Sequence, residues 1–111
     1  MAEYTEFSIG QGETFRVLTQ LRDKTNTPID ITDYTFSGQV RETYKSDQIE
    51  ATFIFDKVSP FASGALYINL SQSVTVAMDD RSYVYDVMYT SGSYTRRILE
   101  GKFIVRPAVT R

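Results

Sequence analysis

No cysteine, no histidine and no tryptophan occur among the 111 residues. Without cysteine, no disulfide supports the fold and nothing records an oxidising compartment. Without histidine, a Ser-His-Asp triad cannot be assembled. A thiol protease lacks its nucleophile, and structural zinc loses both of its usual ligand types. These absences weigh against nucleophilic and zinc-dependent enzymes as a class, whose mechanisms draw chiefly on those residue types. No apolar run approaches the roughly 20 residues that span a bilayer. The acidic start, Met1-Ala2-Glu3-Tyr4-Thr5-Glu6, has no apolar run behind it and is not a secretory signal. A charge bias is also missing: 12 Lys and Arg against 14 Asp and Glu, spread along the chain, give a net charge of −2. That leaves no basic block for a phosphate backbone and no basic amphipathic helix for a bilayer surface. The expectation is a protein made in a cytosol, with neither nucleic acid nor membrane as partner and with no cofactor.

What is present is aromatic and β-forming. Eight Tyr and seven Phe are residue types that strands favour. The length suits one domain spanning residues 1–111, large enough to bury one real core. Apolar residues alternate with period two, and helical periodicity is absent. Phe15, Val17, Thr19 and Leu21 share a face; so do Tyr34, Phe36, Gly38 and Val40; so do Ala51, Phe53 and Phe55. Leu66, Ile68 and Leu70 form a fourth row, Tyr83, Tyr85, Val87 and Tyr89 a fifth, and Leu99, Gly101, Phe103 and Val105 a sixth. Phe7 and Ile9 suggest a short opening strand. Breakers separate the rows: Gly10-Gln11-Gly12, Asn26-Thr27-Pro28, Ser59-Pro60, Ser63-Gly64 and Ser91-Gly92-Ser93, the last reading as a hairpin. Residues 71–78 could hold one helical turn capped by Ser71, against the β-branched content of Val74, Thr75 and Val76. These signals predict an all-β chain, an immunoglobulin-like antiparallel β-sandwich of about seven strands. Tyr83, four residues after Asp79, is placed for the tyrosine corner of that fold, and Tyr85 stands where a disulfide-bonded domain has its second cysteine.

The remaining candidates for chemistry have structural readings beside the functional ones. Asp30 with Asp33, and Asp79 with Asp80, could pair as catalytic acids, but they sit at strand ends where Asp caps turns. No Asp-rich loop has the spacing of a calcium site. Gly10-Gln11-Gly12 lacks the further glycines and the Lys-Ser/Thr of a phosphate loop and reads as a corner. Arg96, Arg97, Lys102 and Arg106 give the last strand a positive bias. They serve either as edge protection or as a contact for an acidic partner. Ile54, Ile98 and Ile104, with Tyr44 and Tyr67, fall on polar faces and are either scattered or gathered into a binding patch.

The order of several strings carries a resemblance. They are Gln11-Gly12-Glu13-Thr14-Phe15, Pro28-Ile29-Asp30-Ile31-Thr32-Asp33-Tyr34-Thr35-Phe36, Gly38-Gln39-Val40-Arg41, and Gly64-Ala65-Leu66-Tyr67-Ile68-Asn69-Leu70-Ser71. Tyr83-Val84-Tyr85-Asp86-Val87, Arg97-Ile98-Leu99-Glu100-Gly101 and Pro107-Ala108-Val109-Thr110-Arg111 complete the set. Together they resemble the small immunoglobulin-like structural proteins of tailed bacteriophages and are similar to the N-terminal domain of phage baseplate upper proteins. Asp33 departs from the glycine common at that place, and Asp tolerates the turn. The resemblance implies a non-enzymatic virion structural protein, made in the host cytoplasm. It would be a capsid decoration or accessory protein bound to the major capsid protein by surface complementarity, with homo-oligomeric contacts. A baseplate, neck or tail-fibre adaptor bound to tail proteins is the alternative; a stop at Arg111 with no stalk leads us to expect the head. A carbohydrate-binding module would use Tyr44, Tyr67 and Tyr94 for stacking. The expected protein interface draws on an N-terminal arm (residues 2–9) and a C-terminal tail (residues 106–111). Its residues are Tyr4, Phe7, Arg96, Arg97, Ile98, Ile104, Arg106 and Arg111.

Overall fold

In the computed structural model, which describes residues 3–107, each alternating row of the sequence becomes a strand with its apolar side facing inward. The strands are β1 (Glu3–Tyr4), β2 (Phe7–Gly10), β3 (Phe15–Gln20), β4 (Thr35–Arg41), β5 (Ala51–Thr52), β6 (Ile54–Lys57), β7 (Ala65–Leu70), β8 (Ser82–Ser91) and β9 (Tyr94–Arg106). They build two sheets. The larger has the order β1-β9-β8-β4-β5 with β2 also on β9, and the smaller has the order β3-β7-β6. Two of these strands are interrupted: β1 and β2 run along one edge of β9, and β5 and β6 flank Phe53, where the chain crosses from the larger sheet to the smaller. Counted without the interruptions, the strands number seven, in the arrangement of an immunoglobulin-like sandwich.

The pairing departs from a purely antiparallel sandwich at one edge. The opening strand lies parallel to β9, with Glu3 opposite Leu99 and Phe7 opposite Phe103. Parallel neighbours need a long crossover, and here nearly the whole domain serves as that connection. Gly101 makes the approach possible. It adopts φ +155°, and a β-carbon there would collide with the Thr5 carbonyl oxygen. Thr5 donates its backbone N–H to the Glu100 carbonyl at 2.9 Å and accepts the Tyr85 hydroxyl at 2.6 Å.

The core is an aromatic cluster between the sheets. Phe103, Tyr85, Phe15 and Phe53 are all buried, with Phe15 edge-on to Phe103 at 5.1 Å and Phe53 edge-on to Tyr85 at 5.9 Å. Such pairs add about 0.5–1.5 kcal/mol each beyond the area they bury, so ring packing replaces a disulfide here. The tyrosine corner is present: the Tyr83 hydroxyl donates to the Asp79 carbonyl at 2.8 Å. The β8–β9 hairpin closes on a two-residue loop, with Gly92 at φ 61° as its first residue, the position at which a type II′ turn requires glycine. One helical turn, α1 (Gln72–Thr75), closes an end of the sandwich. Ser71 precedes it but makes no capping bond; its hydroxyl pairs instead with that of Ser73 at 2.9 Å. The buried Thr75 hydroxyl reaches the Glu13 carbonyl at 2.7 Å and ties α1 to the corner before β3. Among the described residues no helix is long and apolar enough to cross a membrane.

Candidate functional site: two surfaces and a half-open seam

The outer face of the larger sheet is built by cross-strand register. Tyr4, Glu100, Asp86, Gln39 and Thr52 lie side by side across five strands. Asp86 and Glu100 are directly opposite, and like charges in that position repel. The Arg97 guanidinium offsets this, with Nε 3.3 Å from Asp86 Oδ2. The loop from β4 to β5 folds over the same face and is braced by Arg41, which donates to the Ser46 carbonyl at 2.7 Å and to Gln39 Oε1 at 2.8 Å. Under this loop lies a shallow depression of about 400 Å³. Tyr44 lines it with 63% of its surface exposed; partial burial and the nearby Glu100 carboxylate raise its hydroxyl pKa.

The outer face of the smaller sheet carries a polar clasp. Arg16 donates to Asn69 Oδ1 at 3.1 Å, and Asn69 donates to Asp56 Oδ2 at 3.0 Å. The guanidinium lies 3.8 Å from the centre of the Tyr67 ring. Leu18 and Ile54 stand exposed on either side.

The third feature is the seam where the edge of the larger sheet meets β3. From Leu99 to Arg106 the opening strand covers it; at residues 94–98 nothing among the described residues does. The uncovered part is a cleft of about 590 Å³. Its floor includes Tyr89, which is stacked on Tyr34 at 4.4 Å, together with Ile29, Ile98 and Leu99. Burial raises the Tyr89 hydroxyl pKa, with Tyr34 adding to the effect. Arg22, Lys24, Arg96 and Arg97 line the cleft together with Asp23. The loop from β3 holds its cations in place: Leu21 and Ile29 pair through their backbones, Asn26 takes φ 66°, and Arg22 donates to the Asn26 carbonyl at 2.9 Å and to Gln20 Oε1 at 2.7 Å.

The structure distributes the residues singled out from the sequence. Tyr4 is 61% exposed on the outer face of the larger sheet, near Arg97. Phe7, expected at an interface, is turned into the core, 5.1 Å from both Phe15 and Tyr85. Ile98, expected on the polar face of its alternation, packs against the core instead. The cause is a β-bulge: Val87 faces Leu99 but Met88 faces Arg97, so one extra residue reverses the alternation. The same reversal places Arg96 beside Tyr89 in the cleft. Ile104 is half-buried opposite Ser8 and Ser82, and Arg106 donates to the Ser8 hydroxyl at 3.0 Å. Arg111 lies outside the described residues. Ile54, Ile98 and Ile104 therefore do not converge on one patch, and Tyr44, Tyr67 and Tyr94 lie on three separate elements. Arg22 and Lys24 were not among the sequence candidates; the Asn26-Thr27-Pro28 breaker marked a turn without showing that it faces β9.

Among the described residues no group of three or more acids is placed to hold a metal ion. The arrangement offers recognition chemistry: exposed aromatics, a cross-strand acidic pair and a cationic cleft on an immunoglobulin-like sandwich. No family model matches the chain, and no curated protein matches it.

Proposed function

We propose that this is a non-enzymatic structural protein of a tailed-bacteriophage virion, a capsid decoration or accessory protein that attaches by surface complementarity. The observation that carries this reading is where the resembling strings fall in the fold. The strings that resemble phage immunoglobulin-like proteins fall, within the described residues, on the strands and corners of one immunoglobulin-like sandwich. The partner is the major capsid protein, with contacts between copies around symmetry axes adding to attachment; many weak contacts raise avidity without any one being large. Attachment through a free N-terminal arm is disfavoured, because lifting β2 would expose Phe7 and Ile9. The exposed faces of the two sheets and the open seam are the better surfaces.

Immunogold electron microscopy of intact virions, with antibody raised against this chain, tests the proposal. Label spread over the capsid is expected. Label confined to one end of the tail would reassign the protein to a baseplate or fibre adaptor. Particles that carry neither label nor the protein by mass spectrometry overturn the virion reading.

A further inference from the structure

We propose that the open half of the seam docks an extended acidic segment of a partner protein. The segment adds to the free edge of β9 at residues 94–98, while its carboxylates meet Arg22, Lys24 and Arg96. This goes beyond the virion reading and does not depend on it, since it concerns the chemistry of the partner and not its location.

Three observations converge on that occupant. The first is the backbone. β9 is paired with β8 along its length, but among the described residues its other edge is covered only from Leu99 onward. An unpaired edge is a template for another strand, and a segment docked there would continue the line of β1. The second is charge. Cations on an edge commonly discourage pairing by pointing into solvent. Here the bulge turns Arg96 into the cleft, and a separate loop brings Arg22 and Lys24 to the same place. Three cations, Arg22, Lys24 and Arg96, come together there in a chain whose net charge is −2, while Arg97 is paired with Asp86. Asp23, an acid lining the cleft, is committed to its own loop: it accepts from the Thr25 hydroxyl at 2.6 Å and from the Thr27 N–H at 3.0 Å. Lys24 and Arg96 make no hydrogen bond or ion pair among the described residues. An acidic partner would supply a counter-charge for them. The third is the floor, where Ile29, Tyr89 and Ile98 offer apolar contact between the cations. A strand with acids on one side and apolar residues on the other satisfies all three features.

The test uses the full chain and a fluorescein-labelled hexapeptide alternating Glu and Val. Controls are the corresponding Lys and Val peptide and an acidic peptide in which alternate residues are proline, which cannot donate to a ladder. Fluorescence anisotropy reports binding, and amide chemical shifts report its location. The acidic peptide is expected to bind, to shift amides at residues 94–99 and 19–24, and to weaken as salt rises. The double variant Lys24→Glu/Arg96→Glu, both positions being exposed, should bind at least tenfold more weakly with an unchanged melting temperature. Equal binding of the proline peptide, or full displacement by inorganic pyrophosphate, would reduce the site to a simple anion patch and overturn the proposal. No binding at millimolar peptide, or shifts confined to other surfaces, overturns it as well. Self-association of the protein that is lost in the double variant would make the occupant a second copy and overturn the assignment to a partner.

Discussion

One edge of β9 meets two fates. From Leu99 to Arg106 it is finished by the chain's own opening strand, which is seated over Gly101 and tied down by the Tyr85 hydroxyl. At residues 94–98 no described residue pairs with the same edge, which is floored by Ile98 and flanked by Arg22, Lys24 and Arg96. The covered half is apolar and interlocked, as a structural seam must be. The open half carries exposed cations, which the acidic segment proposed above would pair. A buried seam and an exposed cationic stretch thus occupy adjacent parts of a single strand, divided by a one-residue bulge.

Substitutions on either side of the bulge can break or sharpen this contrast. The largest effect is expected for Phe103→Ala in the covered half, where a fully buried ring is lost: about 3–5 kcal/mol in urea denaturation. Ile98→Ala in the open half should cost only about 1 kcal/mol, because its side chain is half-buried. Comparable losses at the two positions would erase the distinction. Next comes Gly101→Val, expected to cost about 3 kcal/mol, since the new side chain meets the Thr5 backbone at a left-handed φ. Hydrogen exchange at residues 7–10 should then rise to the level of the open edge. Unchanged protection there would mean that the opening strand is held by something other than its fit over Gly101.

A smaller change, about 1–1.5 kcal/mol, is expected for Tyr85→Phe, which keeps the ring and removes the hydroxyl that meets the Thr5 carbonyl. The smallest concerns the loop on the open side. The Thr25 hydroxyl above all, with the Thr27 and Thr25 N–H groups, holds the Asp23 carboxyl below its ordinary pKa despite slight desolvation. A folded pKa below the unfolded one means that this contribution is complete above about pH 4. It is lost as the pH falls through the lowered value. Melting temperatures between about pH 4 and pH 2 should fall more steeply for the natural protein than for Asp23→Asn. Parallel curves would detach Asp23 from the order of the loop.

How much of this was legible beforehand follows from the range of each interaction. Tyr83 and Asp79 are four residues apart, so the corner they form is a local pattern and was readable. The inward rows, from Phe15 and Val17 to Phe103 and Val105, were readable for the same reason: alternation needs no knowledge of the neighbouring strand. Ile98 was misplaced because a bulge exists only between two strands, and a period-two count along one strand cannot contain it. Phe7 was assigned to a surface because its partner, Phe103, lies at the other end of the chain. Arg22 and Lys24 went unnoticed because a turn residue such as Asn26 marks that the chain reverses and says nothing about what the reversal faces.

By itself, then, the amino-acid sequence determined an all-β sandwich with an aromatic core, a tyrosine corner and a composition without histidine or cysteine. Each of these depends on residue type or on neighbours a few positions apart. Only the tertiary structure decided that the opening strand pairs parallel to the last and that cations from two distant segments meet beside that edge. Those outcomes depend on register and packing between segments far apart in the chain, and the free energy that selects among such pairings belongs to the assembled core and to no single stretch of sequence.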